Sequence, residues 1–291
     1  MAEESTDSRP AAPRRGPAQN AQLALLLEVA GTPKPGNVDR RRDYDDLRLE
    51  HFMAGAVGAM GGLAAAADTT PGVGECFERA VAGMAEQSAG NTQFGALLLL
   101  VPLVRAAATS RLTPAGTRTV VESTTVEDAC GFYRAFEHVD VAVDDPPADA
   151  DALDVRRGGD AAPELRERAL TLADVMALSA DRDGVAAELT GGFERSFTAA
   201  SWLSDDDGPI YQRASRTFLR LLADEPDTFV VTRNGRAAAE EATARAQAVL
   251  EGREDADDLA AEFVDRDINP GTTADITAAA LFIALQRGLE V

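Results

Sequence analysis

Apolar residues recur three and four positions apart along almost the whole chain, and no two alternating runs lie close enough to pair. A helix buries one face at that spacing, whereas a half-buried strand needs every second residue apolar. Leu23, Leu26 and Leu27 place a helix over 19–30 that stops at Gly31, ahead of Pro33 and Pro35. Leu49, Phe52, Met53, Val57, Met60 and Leu63 form one stripe over 47–67, and Phe77, Val81 and Met84 repeat it over 73–88. Asn91 can cap a strongly apolar helix reaching Leu103, which Pro102 should bend or end. Thr113 before Pro114 and the string Thr125-Val126-Glu127-Asp128 are helix starts. Helical patterns resume over 164–180, 184–203, 209–223, 236–250, 255–267 and 273–288, and 228–232 is the one strand-like run. No fixed-period repeat, G-x-G-x-x-G string or Walker loop interrupts them. The expectation is an all-α fold: a single multi-helix domain over 19–291 after a disordered polar tail over 1–18. An irregular connection over about 139–163 is long enough to serve as a lid or surface loop.

Composition narrows what such a bundle can do. The chain of 291 residues is 45% apolar and carries a formal charge of −21, so it can bury a core and would be repelled by nucleic acid or an anionic membrane. No apolar stretch is long enough to span a bilayer, and the start of the chain lacks the apolar segment of a signal peptide. Cys76 and Cys130 have no metal-ligand spacing, and with only His51 and His138 a three-histidine site is excluded. A cytoplasmic protein is expected. Of 28 basic residues 27 are arginine; an acidic chain so poor in lysine resembles proteins adapted to high salt. Lys34, the single lysine, therefore stands out as a compact ammonium where arginine serves everywhere else.

Three polar segments separate apolar helices. The first runs from Glu28 through Thr32-Pro33-Lys34-Pro35-Gly36-Asn37-Val38-Asp39-Arg40 to Asp43, Asp45 and Asp46. Two prolines stiffen the loop around Lys34, and Gly36 lets a ligand approach the backbone. Lys34 and Arg40 could meet phosphate oxygens, while Asp39, Asp45 and Asp46 offer hard oxygen ligands to Mg²⁺. The three acids at 43, 45 and 46 could equally favour the dipole of the following helix. The second segment, Gln87 to Gly95, offers Asn91 and Thr92 at a helix N-terminus, where free N–H groups attract anions. The third, Ile268-Asn269-Pro270-Gly271-Thr272-Thr273-Ala274-Asp275, again leads from loop into helix, and its Thr272-x-x-Asp275 can act as a capping box. Three such segments suggest one shared cleft.

Together these strings resemble the triphosphoribosyl-dephospho-CoA synthase family, with an archaeal-type character. The carrying residues are Glu28-Val29 with 32–40, Gly90-Asn91-Thr92 with Gly95, and Asn269-Pro270-Gly271 with Ala274-Asp275. The resemblance implies an all-helical transferase that moves the triphosphoribosyl group of ATP to a hydroxyl acceptor such as 3′-dephospho-CoA and releases adenine. It implies that Lys34, Asp39, Arg40, Asn91, Thr92 and Asp275 share the nucleotide site. Breaking the glycosidic bond builds positive charge at C1′, which a carboxylate can stabilise while it takes the acceptor's proton. Asp39 ranks first as that base and Asp43 second, and Asn91 could assist the departing adenine. Two departures stand out: Gln93 and Phe94 occupy places where the family carries His and Lys, and 41–46 replaces a Gly-Ala-His string. The expected partners are a nucleotide and a small-molecule acceptor, with a homodimer left open. A Mg²⁺-dependent hydrolase of the same bond and a non-catalytic nucleotide-binding protein remain as alternatives.

Overall fold

The computed structural model describes residues 15–143, 146 and 151–291. Most of the tail expected over 1–18 thus lies outside the described residues; the first helix already begins at Pro17. Among the described residues there is no strand, and no helix is long and apolar enough to cross a membrane.

The chain builds α1 (Pro17–Ala30), α2 (Leu49–Gly58), α3 (Met60–Ala67) and α4 (Val73–Met84). Next come α5 (Phe94–Ala108), α6 (Pro114–Glu122) and α7 (Val126–Ala135). After two short 3-10 turns follow α8 (Ala162–Glu167), α9 (Leu172–Ala177), α10 (Gly184–Gly191) and α11 (Glu194–Asp205). The last part holds α12 (Ile210–Asp224), α13 (Thr228–Asn234), α14 (Arg236–Leu250), α15 (Ala256–Asp265) and α16 (Gly271–Gln286). The two starts foreseen at Thr113 and Thr125 are real caps: each hydroxyl accepts a backbone N–H three residues on.

The centre is made by α5 and α16, which are apolar on every side and are therefore wrapped by other helices. They pack on each other, α1 and α11 pack on α16, and α3 and α4 pack on α5. A smaller apolar cluster of Phe218, Leu222, Val230, Leu259 and Phe263 joins α12–α15, and α12 and α13 connect it to α16.

Three expectations change. The helix foreseen over 47–67 is two, meeting at Ala59, and its buried face consists of Gly55, Ala56, Ala59, Gly62, Leu63 and Ala66 rather than the whole large-residue stripe. Close packing decides this: a Cβ on Gly58 would sit 2.0 Å from the Gly83 carbonyl of α4, so the helices cross where both are smallest. Met53 and Val57 are left exposed at 49% and 63%. Of the two outcomes expected at Pro102, a bend or an end, the end is excluded, because α5 continues to Ala108. The strand-like run 228–232 is helical, because Asp227 accepts the Val230 N–H at 3.0 Å and starts α13. The connection foreseen over 139–163 is partly ordered as 3-10 turns at Asp151–Leu153 and Val155–Ala161; Tyr133 donates its hydroxyl to the Leu153 carbonyl at 2.6 Å. Residues 144–145 and 147–150 of it lie outside the described residues. Cys76 and Cys130 are free and buried, as core thiols should be.

Candidate active site

The three polar segments meet. A cleft of about 950 Å³ is lined by Glu28, Asn37, Tyr44 and Asp46 from the first, Ala89–Ala96 from the second, and Asn269, Gly271, Thr272, Ala274 and Asp275 from the third. Asn37 ties first to third: its amide donates to Asn269 Oδ1 at 3.1 Å and to the Pro270 carbonyl at 3.4 Å. Gly36 makes the junction possible. Its φ is +72°, and a Cβ there would lie 1.8 Å from the Ile268 carbonyl oxygen, so only glycine meets both the conformation and the contact. Tyr44 closes the turn by donating to the Gly36 carbonyl at 2.7 Å; burial pushes its phenol well above the usual range.

Lys34 does not reach the cleft wall. It is 1% exposed and its ammonium donates to Glu28 Oε1, with the Phe218 ring 6.0 Å away. Glu28 does line the cleft, so the lysine stands behind a cleft carboxylate as its counter-ion. Asp39 is buried and saturated by its own loop. Its Oδ2 accepts from the Lys34 N–H at 3.2 Å and the Arg42 guanidinium at 3.4 Å, and its Oδ1 accepts from the Arg41 and Arg42 N–H groups at 2.7 and 3.1 Å. Arg42 is held in turn by Asp257. Asp39 therefore shapes the motif loop, with no oxygen left for a proton or a metal, and it is not among the residues lining the cleft.

Asp43 caps α2 by accepting the Leu49 N–H at 2.8 Å, the dipole role weighed above. Asp46 lines the cleft and Asp45 does not. Arg40 lies elsewhere, its guanidinium 4.3 Å from the Tyr211 ring centre beside Thr32 and Gln212. Asn91 accepts the Phe94 N–H at 3.1 Å at the start of α5, and Thr92 stands next to it on the wall. Of the ten residues singled out from the sequence, Asp46, Asn91, Thr92 and Asp275 meet in the cleft; Lys34, Gly36, Asp39, Asp43 and Arg40 support or lie outside it, as does Asp45. Among the described residues no three acidic, histidine or cysteine side chains converge as a ready metal site, so the trio Asp39, Asp45 and Asp46 does not form a protein cage for Mg²⁺.

Asp275 is the most perturbed acid of the cleft. Its carboxyl is raised well above the usual range by burial first, then by the nearby charges of Glu28 and Asp227, while the Ala96 N–H pulls the other way. Gly95 makes room for it: a Cβ there would lie 2.0 Å from Asp275 Oδ2. Glu28 is also raised by burial, opposed by Lys34. Two neighbouring buried carboxyls cannot both ionise freely, and the one beside the ammonium keeps its charge more readily. Both carboxyls are thus pushed toward the neutral form, Asp275 the more strongly, while Lys34 favours the charged form of Glu28 alone. Behind them Asp227 is buried and fixes the start of α16, accepting from the Thr273 N–H and hydroxyl, both at 2.7 Å.

Sequence reasoning passed over Glu28 as a chemical group, although Ala21, Leu25 and Glu28 share one face of α1. A carboxylate in register with buried apolar residues was the available signal. The cations of the cleft, Arg168, Arg182 and Arg233, carry no such signal, because their chain neighbourhoods are those of ordinary surface arginines.

Comparison with known proteins identifies a family and a structural relative. The family model CitG, ATP:dephospho-CoA triphosphoribosyl transferase, matches residues 14–290. A solved structure from Archaeoglobus fulgidus, provisionally named a triphosphoribosyl-dephospho-CoA synthase, superposes with a TM-score of 0.68 at 27% sequence identity, over 84% of this chain and 100% of its own. No curated protein matches.

Proposed function

The chain belongs to the CitG family of ATP:dephospho-CoA triphosphoribosyl transferases, and from that membership we propose how its cleft performs the transfer. The protein is a triphosphoribosyl-dephospho-CoA synthase-type enzyme, a transferase using ATP and dephospho-CoA. The observation that carries the mechanism is the Glu28–Asp275 pair, two acids lining one cleft of which only Glu28 has an ammonium beside it.

Glu28, kept ionised by Lys34, takes the proton of the attacking acceptor hydroxyl and faces the positive charge that grows at C1′. The new O–C1′ bond forms as the C1′–N9 bond breaks. Its electron pair stays on adenine, which takes the proton of Asp275 and leaves neutral. A proton passing from Glu28 to Asp275 then restores the starting state. Arg168, Arg182 and Arg233 make the phosphate contacts that the sequence assigned to Lys34 and Arg40, since guanidinium groups bind phosphate oxygens bidentately. Mg²⁺ is usually held by one or two carboxylates with substrate phosphates and water. The residues suit a cation that arrives on the triphosphate and meets Asp46.

The test is release of adenine from ATP, with the product's mass read alongside. Glu28→Gln and Asp275→Asn should each slow release by about 10²–10⁴-fold, the usual loss for a general base or acid. Wild-type release that requires dephospho-CoA supports the transferase; equal release without acceptor makes the protein a hydrolase of the same bond. Unchanged rates in both variants would move the chemistry away from this pair.

A further inference from the structure

Six buried side-chain nitrogen or oxygen atoms among the described residues have no hydrogen-bond partner, and three of them sit on two neighbours: Thr92 Oγ1, Gln93 Oε1 and Gln93 Nε2. Gln93 is 4% exposed. A buried amide with both ends unpaired carries an unrepaid desolvation cost at each end, so such a residue is uncommon where it does nothing. Both residues line the cleft. On their other side α2 closes in: a methyl on Gly55 would come within 2.6 Å of Thr92 Oγ1 and 3.4 Å of Gln93 Oε1. The Gln93 backbone is fixed too, its N–H 3.2 Å from Met84 Sδ and its carbonyl accepting the first bond of α5 from Leu97. Only the side chain is free to find a partner, and a turn toward the cleft is the direction left open.

An amide presents one donor beside one acceptor, the pattern complementary to the 6-amino group and N7 of adenine, where hypoxanthine offers two acceptors. The surroundings suit a purine as well. Seven of the chain's fifteen aromatic residues line this cleft, and Phe52, Phe136 and Phe229 are only partly buried, leaving faces on which a flat base can stack.

We propose that Gln93, with Thr92 beside it, reads the 6-amino edge of an adenine ring in the cleft. This rests on the transferase reading above and makes Gln93 a specificity-determining residue. Adenine occurs in both substrates, ATP and dephospho-CoA, and the test separates them.

Binding is measured by calorimetry without turnover, on wild type and Gln93→Leu. The ligands are ATP, ITP (which carries oxygen in place of the 6-amino group), dephospho-CoA and its deaminated analogue. Wild type should prefer one adenine ligand to its deaminated partner by about 10–100-fold, the reach of one bidentate contact. Gln93→Leu should erase that preference by weakening the adenine ligand alone. Loss confined to ATP assigns the contact to the leaving base; loss confined to dephospho-CoA assigns it to the acceptor. In the ligand-free state Gln93→Leu should also raise the melting temperature, because it removes an unpaired buried amide. Equal weakening of adenine and hypoxanthine ligands, or no wild-type preference in either pair, overturns the proposal, and the second measurement needs no variant. If wild type binds its adenine ligand selectively yet releases no adenine, the transfer mechanism fails while this recognition stands.

Discussion

Replacing Lys34 by methionine separates the two roles the sequence and the structure give it. A lysine on phosphate would weaken nucleotide binding and leave the fold alone. A lysine buried at 1% exposure against Glu28 does the reverse. Removing one partner of a buried ion pair strands the other, at a cost of about 3–5 kcal/mol. For a domain approaching this size a kcal/mol shifts the melting temperature by roughly 2–4 °C, so Lys34→Met should fall by something near 10 °C. The double variant Lys34→Met/Glu28→Gln should regain most of that, because no buried charge remains. The pH dependence has a definite sign. Without its ammonium Glu28 has a folded-state pKa further above its unfolded one, so the folded state binds the extra proton and is favoured in acid. The single variant's deficit should therefore be smallest near pH 4, grow as pH rises above the unfolded carboxyl's range, and level off once pH passes the raised folded-state pKa. Thermal unfolding across pH measures all of this. A Lys34→Met protein with unchanged melting temperature and weakened ATP binding would refute the buried-pair argument.

Other outcomes follow from the same geometry. Asp275→Asn should stabilise the protein at neutral pH, where the raised carboxyl makes ionisation unfavourable, and the gain should vanish below about pH 4, where the native acid is protonated in both states; calorimetric scans at both pH values decide it. Gly95→Ala should abolish adenine release, since the methyl falls on the Asp275 carboxyl, and a variant with wild-type turnover would contradict the placement of that acid. With a formal charge of −21, molar KCl should raise the unfolding midpoint by screening self-repulsion, and a flat or falling midpoint would remove the high-salt reading.

The sequence showed the helices because their apolar residues repeat, and the cleft because its polar segments interrupt that repeat. What it could not show is direction. Lys34 and Asp39 were read as facing a ligand, whereas Lys34 turns back to α1 and Asp39 into its own loop. Spacing along a loop does not say which side of it will be solvent. Likewise the spacing puts Phe52, Met53 and Val57 on one stripe, yet Met53 and Val57 are exposed, since nothing local announces that Gly58 and Gly83 will meet and turn the small face inward. Run 228–232 has strand-forming side chains, but a single aspartate ahead of it outweighs them. Chemistry-bearing residues were legible as types; their partners came from the fold, some within a turn of chain, as for Asp39, and some more than 200 positions away, as for Asn37 and Asn269.

The position of α16 governs when the molecule can exist at all. Its residues Ile276–Leu285 fill the middle of the core, and its first turn supplies Thr272 and Asp275 to the cleft. A ribosome emits that helix after nearly everything it must hold together. Until residues beyond 270 emerge, α5 lacks its partner α16, and the nascent chain displays part of Leu97–Val104 as a sticky surface. Folding of this core is thus post-translational by construction, and a growing chain would depend on chaperones that shelter apolar helices. A shortened product lacking α16 lacks Thr272 and Asp275 of the cleft together with the middle of the core.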